Sequence, residues 1–143
     1  MIALETNLLV YSHRGESPWH ARTREAIGRL IDERMRCAIP WPCVYEFLSV
    51  VTHPRIHKTP SRLDDAVAHI ESLLANPMAS LIGETDDHLA FLRDFLTSGH
   101  IVGPLVHDAK IAAICLSHGV TELWTADRDF SRFPKLKIRN PLV

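Results

Sequence analysis

Short apolar runs alternate with longer stretches in which apolar residues recur every three or four positions. Ile2-Ala3-Leu4 is apolar, stops at the polar turn Glu5-Thr6-Asn7, and gives way to Leu8-Leu9-Val10, which resumes as a helix. Ser17 as cap with Pro18 in the first turn predicts a helix to about Met35, its inner face formed by Trp19, Ala26, Ile27, Leu30 and Ile31. A short strand, Cys37–Ile39, follows, then a helix opened by Pro42 and closed at about Val51, ahead of Pro54. Ser61 caps the next helix, whose stripe of Leu63, Ala66, Val67, Ile70, Leu73 and Leu74 runs to Asn76-Pro77. Ala79–Ile82 reads as a strand, and Asp86 or Asp87 opens a helix that ends before Gly99. Pro104 opens another helix to Leu116, with Gly119 as its stop. Val120–Thr125 is a strand, Asp129–Phe133 at most one helical turn, and Leu136–Ile138 a last strand. Strands alternating with helices predict an α/β fold with a central parallel sheet flanked by helices on both faces.

At 143 residues the chain suits a single domain spanning 1–143, and its 46% apolar and 23% charged residues are those of a globular protein. No apolar stretch approaches the roughly 20 residues needed to span a bilayer. Met1 leads straight into Ile2 without the basic stretch and apolar core of an export signal, so the expected compartment is the cytoplasm. Cys37, Cys43 and Cys115 are odd in number and lack Cys-x-x-Cys spacing, which favours buried thiols over disulfides or structural zinc.

Sixteen basic against 17 acidic residues give a net charge of -1, which does not announce a polyanion binder, but the charge is segregated. Residues 53–62 carry Arg55, Lys58 and Arg62 with no acid, and residues 128–143 carry five bases against Asp129 alone. The acids stand elsewhere. In a parallel α/β sheet, polar groups collect beyond the carboxyl ends of the strands, where strand order reverses. Two predicted strands run into acids there, Ile2-Ala3-Leu4 into Glu5 and Val120–Thr125 into Asp127. Glu46 and Asp108 sit near helix starts among apolar neighbours. A carboxylate among core-forming residues needs a partner, and a divalent cation supplies one. Carboxylate oxygens suit hard ions such as Mg²⁺ or Mn²⁺, which hydrolyse phosphodiesters singly or as a pair about 3.5–4 Å apart. No Gly-rich phosphate loop and no Gly-x-Ser-x-Gly elbow is present, so triphosphate and acyl-transfer chemistries lack their usual apparatus. Plainer readings stay open for each acid alone. Asp127 and Asp129 suit turn caps, Glu46 a solvated helix residue, and Asp108 a first-turn acid favoured by the helix dipole.

Four segments together resemble a known family. Met1-Ile2-Ala3-Leu4-Glu5-Thr6-Asn7-Leu8-Leu9-Val10-Tyr11 is similar to the opening of PIN-domain ribonucleases of the VapC type, the toxins of type II toxin–antitoxin systems. The segment from Trp41 to Arg55, containing Tyr45-Glu46-Phe47, resembles their second motif, Asp108-Ala109-Lys110-Ile111 the third, and Trp124-Thr125-Ala126-Asp127-Arg128-Asp129 the fourth. The resemblance implies a PIN-like fold, Mg²⁺- or Mn²⁺-dependent endoribonuclease activity, a VapB-type antitoxin as partner, and a homodimer formed through the apolar helices of the first half. Carried over by position, Glu5, Glu46, Asp108 and Asp127 match the family's metal-binding acids and Asp129 an auxiliary acid. Thr6, Asn7 and Thr125 match the polar residues that orient them.

The departure is at the first acid, where the family has Asp and this chain has Glu5. Its extra methylene shifts the carboxylate against an ion that holds closely to octahedral geometry. Two other readings therefore stay open: a PIN nuclease of RNA processing, and a PIN module that binds an antitoxin but cleaves weakly or not at all. His53 and His57 have the spacing of a helical zinc pair, but Pro54 breaks the helix that pair requires. With Arg55 and Lys58 they are expected to form a basic loop, and Arg55, Lys58 and Arg128 are candidates for contact with RNA or antitoxin. His107, next to Asp108, has the chemistry to contact substrate, but as its neighbour on a helix it is expected to point away from that acid. Trp41, Trp124 and Phe130 have the chemistry to stack a base, but core packing is the expected role of all three.

Overall fold

The computed structural model describes all 143 residues. Its strands are β1 (Ile2–Leu4), β2 (Cys37–Pro40), β3 (Ala79–Ile82), β4 (Glu122–Trp124) and β5 (Lys137–Arg139). Its helices are α1 (Thr6–His13), α2 (His20–Asp32), α3 (Trp41–Val51), α4 (Leu63–Leu74), α5 (His88–Ser98) and α6 (Leu105–Ser117), with a short 3-10 helix at Arg128–Arg132. All five strands pair in parallel in the order β3-β2-β1-β4-β5. No helix is long and apolar enough to cross a membrane.

Parallel strands covered on both faces lose the alternation of a half-exposed sheet, and the central strands obey this: every residue of β1 and β2 is buried. Helix α1 packs against both α2 and α3, α3 packs against α4, and α5 packs against α6. Helix α6 is buried at Ala109 and from Ile111 through Cys115, as expected of a helix apolar on nearly all sides. The chain runs from β1 outward to β3 and then crosses back to β4, so strand order reverses between β1 and β4. Ile2, Ala3 and Leu4 there stand beside Glu122, Leu123 and Trp124. The three cysteines are buried and unpaired, and burial pushes the Cys115 thiol up to about 12, so none is a ready thiolate.

Several boundaries differ from the sequence expectation, each for a local reason. Glu5-Thr6-Asn7 is the first turn of α1, because the Glu5 carboxylate accepts the Asn7 N–H at 3.1 Å and caps the helix. Helix α2 starts at His20 rather than in the Ser17-Pro18 turn, where Ser17 Oγ accepts from Trp19 N–H. It stops before Met35, because Arg34 turns to a φ of 52° and Met35 N–H closes back on Leu30 C=O. The same turn ends α5, with His100 rather than Gly99 in the left-handed position, and ends α6 at Gly119 as expected. Ser61 does not cap α4. Its hydroxyl meets His13 Nε2 at 2.9 Å and Arg14 at 3.0 Å, and Arg62 takes the cap position without a side-chain bond. Strand β4 is shorter than Val120–Thr125, because Thr125 and Ala126 turn their polar groups to Asn7. Trp124 and Phe130 are core residues, but Trp41 is 40% exposed.

Helices α1, α3 and α4 meet at an aromatic seam. The His13 and His69 rings lie 4.9 Å apart and 5.4 and 5.6 Å from Phe47, which is fully buried. Phe47→Ala should destabilise the fold by about 3–5 kcal/mol in urea unfolding. Burial, with His13 close by, lowers the His69 pKa from 6.5 to about 4. An unfolded chain then takes up a proton that the folded chain refuses, so stability should fall as pH drops from 6.5 to about 4. Urea unfolding across that window should show the fall, and His69→Gln should flatten it.

Candidate active site

The reversal of strand order puts the end of β1 beside the end of β4, and a polar network joins them. Glu5 N–H donates to Trp124 C=O at 3.1 Å. Asn7 Nδ2 donates to Thr125 Oγ1 at 3.0 Å, while Ala126 N–H donates back to Asn7 Oδ1 at 3.1 Å. The Thr125 hydroxyl also accepts from Asp127 N–H at 2.9 Å and donates to Glu5 Oε2 at 3.3 Å, which fills its capacity of one donor and two lone pairs. Asp127 Oδ1 in turn accepts from Asp129 N–H at 2.9 Å and caps the 3-10 helix. Thr6 Oγ1 donates to Glu46 Oε2 at 3.0 Å, tying α1 to α3. Thr6, Asn7 and Thr125 thus each bond to one of the acids or to the backbone that bears it.

An open cleft of about 610 Å³ lies over this network. Glu46 enters it from α3, Asp108 from α6 and Asp129 from the 3-10 helix. Asp127 is exposed beside Asp129, and Glu5 lies beneath, only 6% exposed. Burial, then the charges of Asp127, Asp129 and Glu46, push the Asp108 carboxyl up to about 6. Burial likewise raises Glu5, by more than its bond from Asn7 N–H takes back, and Glu46 adds to the rise. The five predicted acids therefore share one electrostatic neighbourhood. No three acidic, histidine or cysteine side chains stand close enough together as placed to hold a metal ion. The donor set still fits one, since it is all hard oxygen and the acids outnumber the single lysine of the cleft.

Glu5 departs from the role of a projecting ligand. Its longer side chain folds back so that Oε2 serves both Asn7 N–H and Thr125 Oγ1. Arg55 and Lys58 lie exposed in the connection between α3 and α4, and neither lines the cleft. His53 and His57 lie in the same connection, where His53 Nδ1 accepts from Arg55 N–H and His57 faces Glu16 at 3.8 Å. Arg128 is exposed between Asp127 and Asp129.

Three cleft residues escaped the assignment made from sequence. His107 lines the cleft with Asp108 instead of pointing away, because successive helical residues diverge by only about 100°, which an open cleft spans. Lys110, one helical turn beyond His107, is the only lysine or arginine in the lining. Tyr45 precedes Glu46 and is 66% exposed on the rim. The signal for Lys110 was present: Ala109, Ile111 and Ala112 take the core side of α6, which leaves 107, 108 and 110 for solvent.

The PIN domain profile matches residues 2–136. Over 143 residues the chain is 33% identical to the ribonuclease VapC31 of Mycobacterium tuberculosis, covering 99% of this chain and 100% of that one. It is 32% identical over 142 residues to the ribonuclease VapC43 of the same organism, covering 99% and 96%. Among solved structures, VapBC2 from Rickettsia felis bound to a DNA fragment from their promoter has the same fold, with a TM-score of 0.70 at 20% identity over 98% of each chain. A profile match over nearly the whole length, a five-stranded parallel sheet with acids at its switch point, and full-length relatives named as VapC ribonucleases place this chain in the PIN domain family.

Proposed function

We propose that the protein is a divalent-metal-dependent endoribonuclease that acts as the toxin of a toxin–antitoxin pair. The observation that carries this is the surplus of negative charge in the cleft, where Glu46, Asp108 and Asp129 gather against a single lysine, and burial together with the neighbouring acids Asp127, Asp129 and Glu46 pushes the Asp108 carboxyl up to about 6. Such an arrangement destabilises the protein alone and becomes favourable around a cation. The names of VapC31 and VapC43 support the choice of RNA as substrate.

In this reading Asp108, Asp127 and Asp129, with Glu5 behind them, would hold Mg²⁺ or Mn²⁺. The ion, when bound, makes a water more acidic and neutralises charge on the phosphorane and leaving oxygen. Glu46, steadied by Thr6, accepts a proton at the open side of the cleft. Lys110 offsets charge on the scissile phosphate, and Asn7 and Thr125 keep the loop after β4 in register with the start of α1. Arg55, Lys58 and Arg128 contact the RNA backbone or a VapB-type antitoxin. The protein works as a homodimer in the cytoplasm, where its RNA substrate is found.

Cleavage of RNA should require Mg²⁺ or Mn²⁺ and disappear with chelator; activity that survives excess EDTA would rule the mechanism out. Asp108 bears on stability as well. Its carboxyl titrates higher in the folded state than in the unfolded, so ionisation costs stability as pH rises from 3.8 to about 6. Asp108→Asn should therefore raise the melting temperature of the metal-free protein at neutral pH while abolishing cleavage, and the gain should vanish toward pH 3.8.

Glu5 should make Mn²⁺ a better activator than Mg²⁺, because Mg²⁺ demands the more regular coordination. Glu5→Asp should raise Mg²⁺-supported cleavage roughly 10-fold or more, since a group misplaced by about 1 Å can cost about a hundredfold. Glu5→Ala should lose activity with both ions. Equal rates for all three proteins would put Glu5 outside the metal site.

A further inference from the structure

The rim of the acidic cleft carries an aromatic pair that the acids do not explain. Tyr45 is 66% exposed and lines the cleft beside Glu46, and Trp41, one turn earlier on α3, is 40% exposed. Their rings are 5.7 Å apart and inclined by 30°. Trp41 lies over Gly83 just beyond β3, where a Cβ would meet its Cδ1 at 3.4 Å, so contact with the sheet edge and with Tyr45 braces the ring. Both rings thus stand out of the core and pack on each other, with Tyr45 opening onto the cleft.

We propose that Tyr45, braced by Trp41, is a stacking platform for an unpaired base of the RNA strand next to the scissile phosphate. The proposal rests on the ribonuclease reading and adds to it a residue that binds substrate. Its physical basis is the charge of the cleft. A nucleic acid ordinarily gains affinity by exchanging counterions for lysine and arginine, but this cleft offers Lys110 alone against Glu46, Asp108 and Asp129. Phosphate contacts hold no base, so a base beside the scissile phosphate is left to a contact that is indifferent to charge. Stacking on an aromatic face is such a contact; it tolerates any base and demands one that is splayed out of a helix. Tyrosine suits the position, because its ring presents an apolar face while its hydroxyl stays in water.

The test is a binding titration in EDTA, where cleavage stops, using a short single-stranded oligoribonucleotide and the same oligomer with its base at the cleavage site removed. Wild type should prefer the intact oligomer. Tyr45→Ala should weaken binding of the intact oligomer by roughly 5- to 150-fold, Tyr45→Phe should bind like wild type, and the base-free oligomer should bind all three proteins alike. The loss should not change with salt concentration, because no phosphate contact is removed. Equal binding of the intact oligomer by wild type and Tyr45→Ala would overturn the proposal. So would a fall in sedimentation mass of Tyr45→Ala, which would mean that a second copy of the chain covers the pair. Failure of the ribonuclease reading is separately visible: wild type that cleaves no RNA with Mn²⁺ removes both, whereas wild type that cleaves beside an unimpaired Tyr45→Ala removes only the platform.

Discussion

The pairing of β1 with β4 is continued past the strand ends by Asn7 and Thr125, 118 residues apart, and the acidic cleft depends on that join. Each of these two side chains uses donor and acceptor together. Asn7 grips the loop after β4 by its Nδ2 and Oδ1, and Thr125 receives two N–H groups and gives its proton to Glu5. A carboxylate beneath such a join cannot drift, because its partners are fixed by a sheet ladder on one side and a helix start on the other. The Asp127 and Asp129 turn then hangs from Thr125 as a unit.

Rigidity there serves a conflict. Like charges brought to one place repel, and burial raises the cost of ionising Asp108 and Glu5 further. The core bears that cost: β1, β2 and much of α6 are buried, and the aromatic seam of Phe47, His13 and His69 locks α1 to α3 and α4. Repulsion of this kind at a site persists only where a well-packed scaffold holds the groups in place.

Glu5 serves two partners at once. Its carboxylate caps α1 by accepting the N–H of Asn7, as a shorter Asp can at such a position, and accepts Thr125 as well. Helix capping and proximity to the other acids are thereby combined in one buried side chain. Tyr45 and Glu46 divide α3 in a comparable way, with Phe47 and Val44 facing the core and the tyrosine and glutamate turned to the cleft.

The sequence by itself determined the class of fold, because alternation of short apolar runs with helical stripes has one economical solution, a parallel sheet covered on both sides. It also pointed to the acids that the structure brings into one neighbourhood, since strand ends and helix starts are local features that apolar neighbours mark. Tertiary structure decided the rest. Glu5 caps α1 through the local N–H of Asn7, but its second partner, the Thr125 hydroxyl, is one that no local pattern around Glu5 contains. The exposure of Trp41 depends on β3 lying at the sheet edge, where Gly83 leaves the ring outside the core; a tryptophan beside a strand carries no mark of which strand is last. His107 and Lys110 join the site because the cleft is broad enough for adjoining helical positions, and breadth is a property of how α3, α6 and the 3-10 helix are spaced. Periodicity reports which side of an element faces inward; distances between elements far apart in the chain arise only when the sheet brings them together.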